Sequence, residues 1–244
     1  MLPFWIALQF LGSLPIRLPG MPSPQALGRS LLFYPLVGLL FGVILWVLNE
    51  LLLGAPLLLH AALLLTVWVA LSGALHLDGL ADSADAWLGG FGDRERTLTI
   101  MKDPRSGPIA VVTLVLVLLL KFAALLALIE QHNSIFLIIV PLLGRASLLA
   151  LFLTTPYVRP GGLGQALADH LPRTAAKQVL VICALACLVL TGFDGLIAIV
   201  VAALLFAWLR QVMVRRLGGT TGDTAGALVE LLEMTLLVSV ALIP

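Results

Sequence analysis

The chain has 244 residues, of which 61% are hydrophobic and 11% charged, with 14 Lys and Arg against 13 Asp and Glu for a net charge of +1. A soluble domain averages about 45–50% apolar and about 25% charged residues, so this chain has too few charges to cover a water-facing surface. Soluble, disordered, collagen-like and disulfide-scaffold architectures are excluded, and the absence of a basic arm or aromatic-interleaved basic patch argues against a nucleic-acid partner. The composition predicts an all-α polytopic membrane protein: a single integral membrane domain over residues 1–244, a bundle of about seven transmembrane helices plus an N-terminal helix.

That first helix falls in Met1–Leu14, which is apolar, lacks a preceding basic stretch and has no small-residue cleavage site. It reads as a retained interfacial or re-entrant helix ended near Pro15, not a cleaved signal. A hydrocarbon core about 30 Å thick takes roughly 20 apolar residues of helix. Stretches of that kind fall near Leu31–Asn49, Leu51–Leu75, Pro108–Ile129, Ser134–Thr155, Gln178–Phe193, Gly195–Gln211 and Thr224–Ile243. The fifth and sixth are short and joined by Gly192-Phe193-Asp194-Gly195, which predicts a tight antiparallel hairpin. Cys183 and Cys187 sit in one of these apolar runs and read as inert thiols of a membrane helix.

Basic residues collect on alternate connections. Arg17 and Arg29 precede the first span; Arg94, Arg96, Lys102 and Arg105 separate the second from the third; Arg159, Arg173 and Lys177 the fourth from the fifth; Arg210, Arg215 and Arg216 the sixth from the seventh. The remaining connections, around Glu50, Glu130–Asn133 and Asp194, contain neither Lys nor Arg. Lys and Arg mark cytoplasmic loops, so the pattern predicts a cytoplasmic N-terminus and a periplasmic C-terminus.

Polar chemistry concentrates on the basic side. Between His76 and Arg105, Asp78, Asp82 and Asp85 recur at i, i+4 and i+7, which puts three carboxylates on one face of a helix. Repulsion among them is relieved by a hard divalent cation, and Mg2+ binds carboxylates together with substrate phosphates. The alternative is a solvated acidic face, against which the small residues Gly79, Ala81, Ala84 and Ala86 argue for close packing. Lys102 and Arg105 stand where the third span begins and combine with a helix N-terminus into a candidate anion site, or serve as topology anchors. Arg145 lies inside the fourth span and requires either an acidic partner or an anionic substrate. The segment Arg215–Asp223 is a glycine-rich turn before the last helix, either a place where backbone approaches a ligand or a simple flexible connection. Asp223, Glu230 and Glu233 then form an acidic stripe that belongs on the bundle interior.

With these residues in place, the sequence resembles the cobalamin synthase family, adenosylcobinamide-GDP ribazoletransferases of the bacterial inner membrane. The resemblance is carried by Leu11–Arg17 (LGSLPIR), Tyr34–Gly38 (YPLVG), Leu75–Asp85 (LHLDGLADSAD), Met101–Gly107 (MKDPRSG), Gly144-Arg145, and Thr221–Ala227 (TGDTAGA) followed by Glu230. It implies transfer of the phosphocorrinoid group of adenosylcobinamide-GDP to α-ribazole or its 5'-phosphate with release of GMP. A displacement at a diphosphate needs positioning and charge neutralisation more than covalent help. The candidate site read from the residues themselves has Mg2+ on Asp78, Asp82 and Asp85, with His76, Asp82, Asp85, Lys102 and Arg105 at the reaction and Arg145, Arg215, Gly219, Thr221 and Asp223 contacting substrate. The lipid bilayer surrounds it, and homo-oligomerisation stays open. Two other readings compete. A CDP-alcohol phosphotransferase-like enzyme also sets aspartates at helical spacing, but this chain lacks that enzyme's later Gly-x-x-x-Asp-x-x-x-Asp pattern. A transporter places its ionisable residues at the midplane, usually within inverted repeats, and none is visible here.

Overall fold

The computed structural model describes residues 1–18, 20–161 and 163–243, and their regular elements are helices joined by turns and short connections. The helices are α1 (Leu2–Leu11), α2 (Pro24–Ser30), α3 (Tyr34–Leu51), α4 (Leu57–Ser72), α5 (Leu75–Gly89), α6 (Arg94–Ile100), α7 (Pro108–Glu130), α8 (Phe136–Thr154), α9 (Leu163–Asp169), α10 (Arg173–Leu217) and α11 (Gly222–Ala241). Among the described residues, five helical stretches are long and apolar enough to cross a membrane, and α4 with α5 passes that test only as a pair. Rows of large apolar side chains stay exposed along α7 (Val111, Val112, Val115, Leu116, Leu119) and α10 (Val181, Ile182, Leu185, Val189). Such a continuous apolar surface suits lipid and is intolerable in water.

The short apolar helix α1 ends at Gly12, near the expected stop, and is tied to the end of α4. Ser13 N–H donates to the Leu71 carbonyl at 2.9 Å and its hydroxyl to the Ala70 carbonyl at 2.6 Å. The second expected span is shorter than its apolar run. Gly73 and Ala74 both adopt left-handed backbone, φ 59° and 58°, and the chain turns by 86° from α4 into α5. The stretch from Leu75 to Gly89 is helical, as the spacing of its aspartates predicts, and it runs at a steep angle to α4. The helix α10 is two limbs, not one rod. Gly192 breaks it with φ 57° and ψ −126°, and the Cys187 thiol reaches the Gly195 carbonyl at 3.7 Å. Eight residues of straight helix span about 12 Å, so the limbs fold back as the hairpin anticipated between the fifth and sixth spans. Cys183 and Cys187 are buried and unbridged, as read.

At the centre stands α8, almost wholly buried and held tightly to α3 by small residues. A Cβ on Gly38 would lie 2.3 Å from the Pro141 carbonyl oxygen, and one on Gly42 2.6 Å from the Ile138 Cα. Around this contact lie the four charges buried in the bundle. Lys121 of α7 bridges Glu230 and Glu233 of α11, each at 2.8 Å, and Arg145 of α8 pairs with Glu233. Lys121 also sits 4.9 Å from the Trp68 ring centroid and Arg145 5.3 Å from that of Phe41. Gly144 leaves the space for this pairing, since a Cβ there would meet Glu233 Oε1 at 2.9 Å. Of the two partners open to Arg145, the structure supplies the acidic one. The residue is buried and does not line the cavity described below, so its pairing within the bundle accounts for its position.

Removing one member of a buried ion pair leaves its partner unpaired in a low-dielectric interior, at a cost of about 3–5 kcal/mol. Glu233→Ala is expected to lower the thermal unfolding midpoint of the detergent-solubilised protein sharply. An unchanged midpoint would mean that the network does not hold α7, α8 and α11 together.

Candidate active site

The site is built where α5 meets α11. A Cβ on Gly79 would fall 2.7 Å from the Asp223 carbonyl oxygen, and one on Gly226 3.2 Å from the His76 Cα, so the two backbones touch only because both residues are glycine. This close crossing brings the carboxylates of α5 to the first turn of α11, which carries Asp223. A cavity of about 260 Å³ opens beside the crossing, lined among others by His76, Asp78, Tyr157, Arg159 and Asp223. Arg159 donates to Asp223 Oδ2 at 2.7 Å.

Electrostatics mark the mouth of this cavity as short of positive charge. Asp82, on α5 outside the spanning helices, is pushed up to about 6 by burial first, then by the carboxylates of Asp78 and Asp223, with Arg159 opposing and Asp85 adding to the rise. A carboxyl crowded by other carboxylates is stabilised when a cation enters. His76 is buried and lines the cavity. Among the described residues its Nδ1 has no hydrogen-bond partner.

The three aspartates of α5 do not act alike. Asp85 faces the start of α7, where it accepts from Gly107 N–H and, at 3.0 Å, from Ala110 N–H. The helix N-terminus that seemed free to bind a substrate anion already holds the chain's own carboxylate. Asp85 thus caps α7, while Asp78 and Asp223 line the cavity and Asp82 is coupled to both. Lys102 and Arg105 are exposed and do not line the cavity; Arg105 folds onto Asp103 at 2.9 Å. Arg215 is likewise exposed outside it.

The turn before α11 is structural at most of its positions. Thr220 N–H donates to the Pro156 carbonyl at 2.8 Å and Val158 N–H to the Thr220 carbonyl at 2.9 Å, a short parallel bridge. Gly219 allows it, because a Cβ there would sit 2.2 Å from the Pro156 oxygen. Thr221 is buried and caps α11 in a reciprocal box with Thr224. Gly219 and Thr221 therefore fasten the backbone that places Arg159 opposite Asp223. Arg216 donates to Trp87 O and Thr97 Oγ1, each at 3.0 Å, and fastens α5 and α6 to α10. Arg159 itself escaped the sequence reading. Its signal was weak: one of three basic residues in its connection, followed by Pro160, which favours an extended backbone.

Because Asp85 caps α7, Asp85→Ala is expected to cost about 0.5–2 kcal/mol of stability, read as a lowered midpoint of thermal unfolding. A variant as stable as the parent would show that the cap contributes nothing and leave the carboxylate free for the site.

The family model described as cobalamin-5-phosphate synthase matches residues 3–241. A protein of Pseudomonas fluorescens strain Pf0-1 named adenosylcobinamide-GDP ribazoletransferase is 80% identical over 99% of this chain and 100% of its own length. Proteins of the same name are 73% identical in Pseudomonas syringae pv. syringae strain B728a, over the full length of both chains, and 71% identical in Pseudomonas putida strain F1, over 99% of each. No solved structure matches the chain. With a family model covering nearly every residue and relatives this similar from end to end, the chain belongs to the cobalamin-5-phosphate synthase family.

Proposed function

We propose that this chain transfers the phosphocorrinoid group of adenosylcobinamide-GDP to α-ribazole or its 5'-phosphate, releasing GMP, at the cytoplasmic face of a bacterial inner membrane. The observation that carries the proposal is the cavity at the α5–α11 crossing, where Asp78 and Asp223 meet Arg159 with Asp82 close by. Carboxylates that attract a divalent ion beside a guanidinium that binds phosphate oxygens are the two elements a diphosphate displacement needs. The relatives' name supplies the substrate. Neither a CDP-alcohol phosphotransferase nor a transporter accounts for a family match over the whole chain. The cytoplasmic orientation rests on the basic loops: Arg159, Arg173, Arg210, Arg215 and Arg216 gather on the side of the cavity, and the opposite connections have no Lys or Arg.

In the reaction, a ribose hydroxyl oxygen of the acceptor bonds to the corrinoid-side phosphorus. The bond from that phosphorus to the bridging oxygen breaks, and GMP leaves with that oxygen. The hydroxyl proton goes to His76, which lines the cavity, or to Asp82, which is coupled to the carboxylates that line it. Arg159 binds the diphosphate and neutralises charge that builds on the leaving oxygen. Asp78, Asp82 and Asp223 would hold Mg2+, which when bound neutralises the diphosphate and orients it. Among the described residues no three His, Cys, Asp or Glu side chains already converge on one point. A Mg2+ ion fits such a set because it retains waters and takes substrate oxygens in place of a full protein cage.

Purified protein in detergent, supplied with adenosylcobinamide-GDP, α-ribazole and Mg2+, should release GMP; failure to do so would contradict the activity itself. Asp82→Ala and Arg159→Ala should each lower kcat and kcat/KM together by about 10²–10³, the scale for losing one electrostatic stabiliser. Arg105→Ala, at an exposed position, should change either by no more than a few-fold. Near-normal turnover in both Asp82→Ala and Arg159→Ala would place the reaction elsewhere. Chelation of divalent ions should abolish turnover and added Mg2+ restore it; full activity in excess chelator would remove the metal from the account.

A further inference from the structure

Beside the active-site cavity lies a second one of about 390 Å³, and the two share Phe152 and Tyr157 as a common wall. The wall is aromatic: the rings stack with centroids 6.1 Å apart, and a Cβ on Gly164 would lie 2.3 Å from the Tyr157 ring. Unlike its neighbours, the second cavity is polar, edged by Thr154, Thr155, Gln165, Asp169 and Arg173. Most of these groups are already committed. Thr154 donates to the Ala150 carbonyl at 2.8 Å, and Thr155 Oγ1 accepts from Arg210 at 3.1 Å. Gln165 Oε1 accepts from Gly161 N–H at 3.0 Å, and Arg173 donates to the Leu153 carbonyl at 2.7 Å. Among the described residues, the Asp169 carboxylate makes no ion pair or side-chain hydrogen bond.

We infer that this second cavity seats the guanine of the leaving nucleotide, with Asp169 accepting hydrogen bonds from its N1–H and 2-amino groups. The inference rests on the activity proposed above and adds the part of the substrate that the first cavity does not address. With the diphosphate at Arg159 and Asp223, the nucleoside has to extend into an adjacent space, and the second cavity is separated from the first by one pair of rings. Guanine presents two N–H donors side by side on one edge, the arrangement two carboxylate oxygens accept together. The neighbouring cavity around Trp87 and Trp208 and the one around Leu18 and Leu27 contain no carboxylate to read that edge.

Xanthine discriminates, because it replaces the 2-amino group by a carbonyl that a carboxylate repels and an amide can serve. Inhibition of turnover by GMP and by xanthosine monophosphate is to be measured for the parent and for Asp169→Asn, together with KM for adenosylcobinamide-GDP. Asp169 is exposed at the end of α9, so the substitution does not test folding. The parent should be inhibited by GMP and hardly by xanthosine monophosphate. In Asp169→Asn, KM and the GMP inhibition constant should rise about tenfold or more, the range of hydrogen bonds to a charged group, and xanthosine monophosphate should inhibit more tightly than it does the parent. Active Asp169→Asn with parental KM and parental selectivity between the two nucleotides would overturn the base site and leave the proposed activity standing. A parent that releases no GMP from adenosylcobinamide-GDP would instead overturn the activity, and the base site with it.

Discussion

Charge neutrality inside an apolar bundle is the constraint on which the remaining architecture depends. Lys121, Arg145, Glu230 and Glu233 come from three helices and are almost completely buried. None of them is tolerable alone in hydrocarbon, so each helix can take only the depth and rotation that brings its charge to a partner. Apolar side chains give little preference between one helix rotation and another in lipid, where tails are as apolar as leucine. The network supplies that preference, and α11, which contributes both carboxylates, is held in one register against α7 and α8.

That register fixes the active site. Once Glu230 and Glu233 are placed, Asp223, two turns nearer the helix start, projects at the end of the bundle where α5 crosses. The crossing depends on Gly79 and Gly226, and the bridge between Tyr157 and Thr220 draws Arg159 to the same point. The groups proposed to bind substrate thus lie on helices and one fastened turn, while Lys102 and Arg105 are exposed on the connection before α7.

Much of this was legible in the residues because membrane rules act on composition. The apolar runs located the helices, the glycine in the Gly192–Gly195 segment located the hairpin, and the acidic stripe of the last helix pointed inward as burial of Glu230 and Glu233 requires. Two kinds of information were out of reach. The 86° turn after α4 arises from left-handed backbone at Ala74 as well as Gly73, and alanine gives no warning of that conformation. Pairings across long separations were also hidden. Arg145 finds Glu233 across 88 residues and Arg159 finds Asp223 across 64, and local spacing carries no trace of either. The i, i+4, i+7 pattern of Asp78, Asp82 and Asp85 was correct as a helical face, yet it overstated their equivalence, because the start of α7 claims Asp85.

The central claim is that α5 and the Arg159 turn act on one bound diphosphate. A double-mutant cycle on kcat/KM with Asp82→Ala, Arg159→Ala and the double variant tests it, since groups serving one transition state are non-additive and independent groups add. The account predicts that the double variant is little slower than the worse single variant. Losses that multiply in full would contradict it, by showing that the two residues act at separate places.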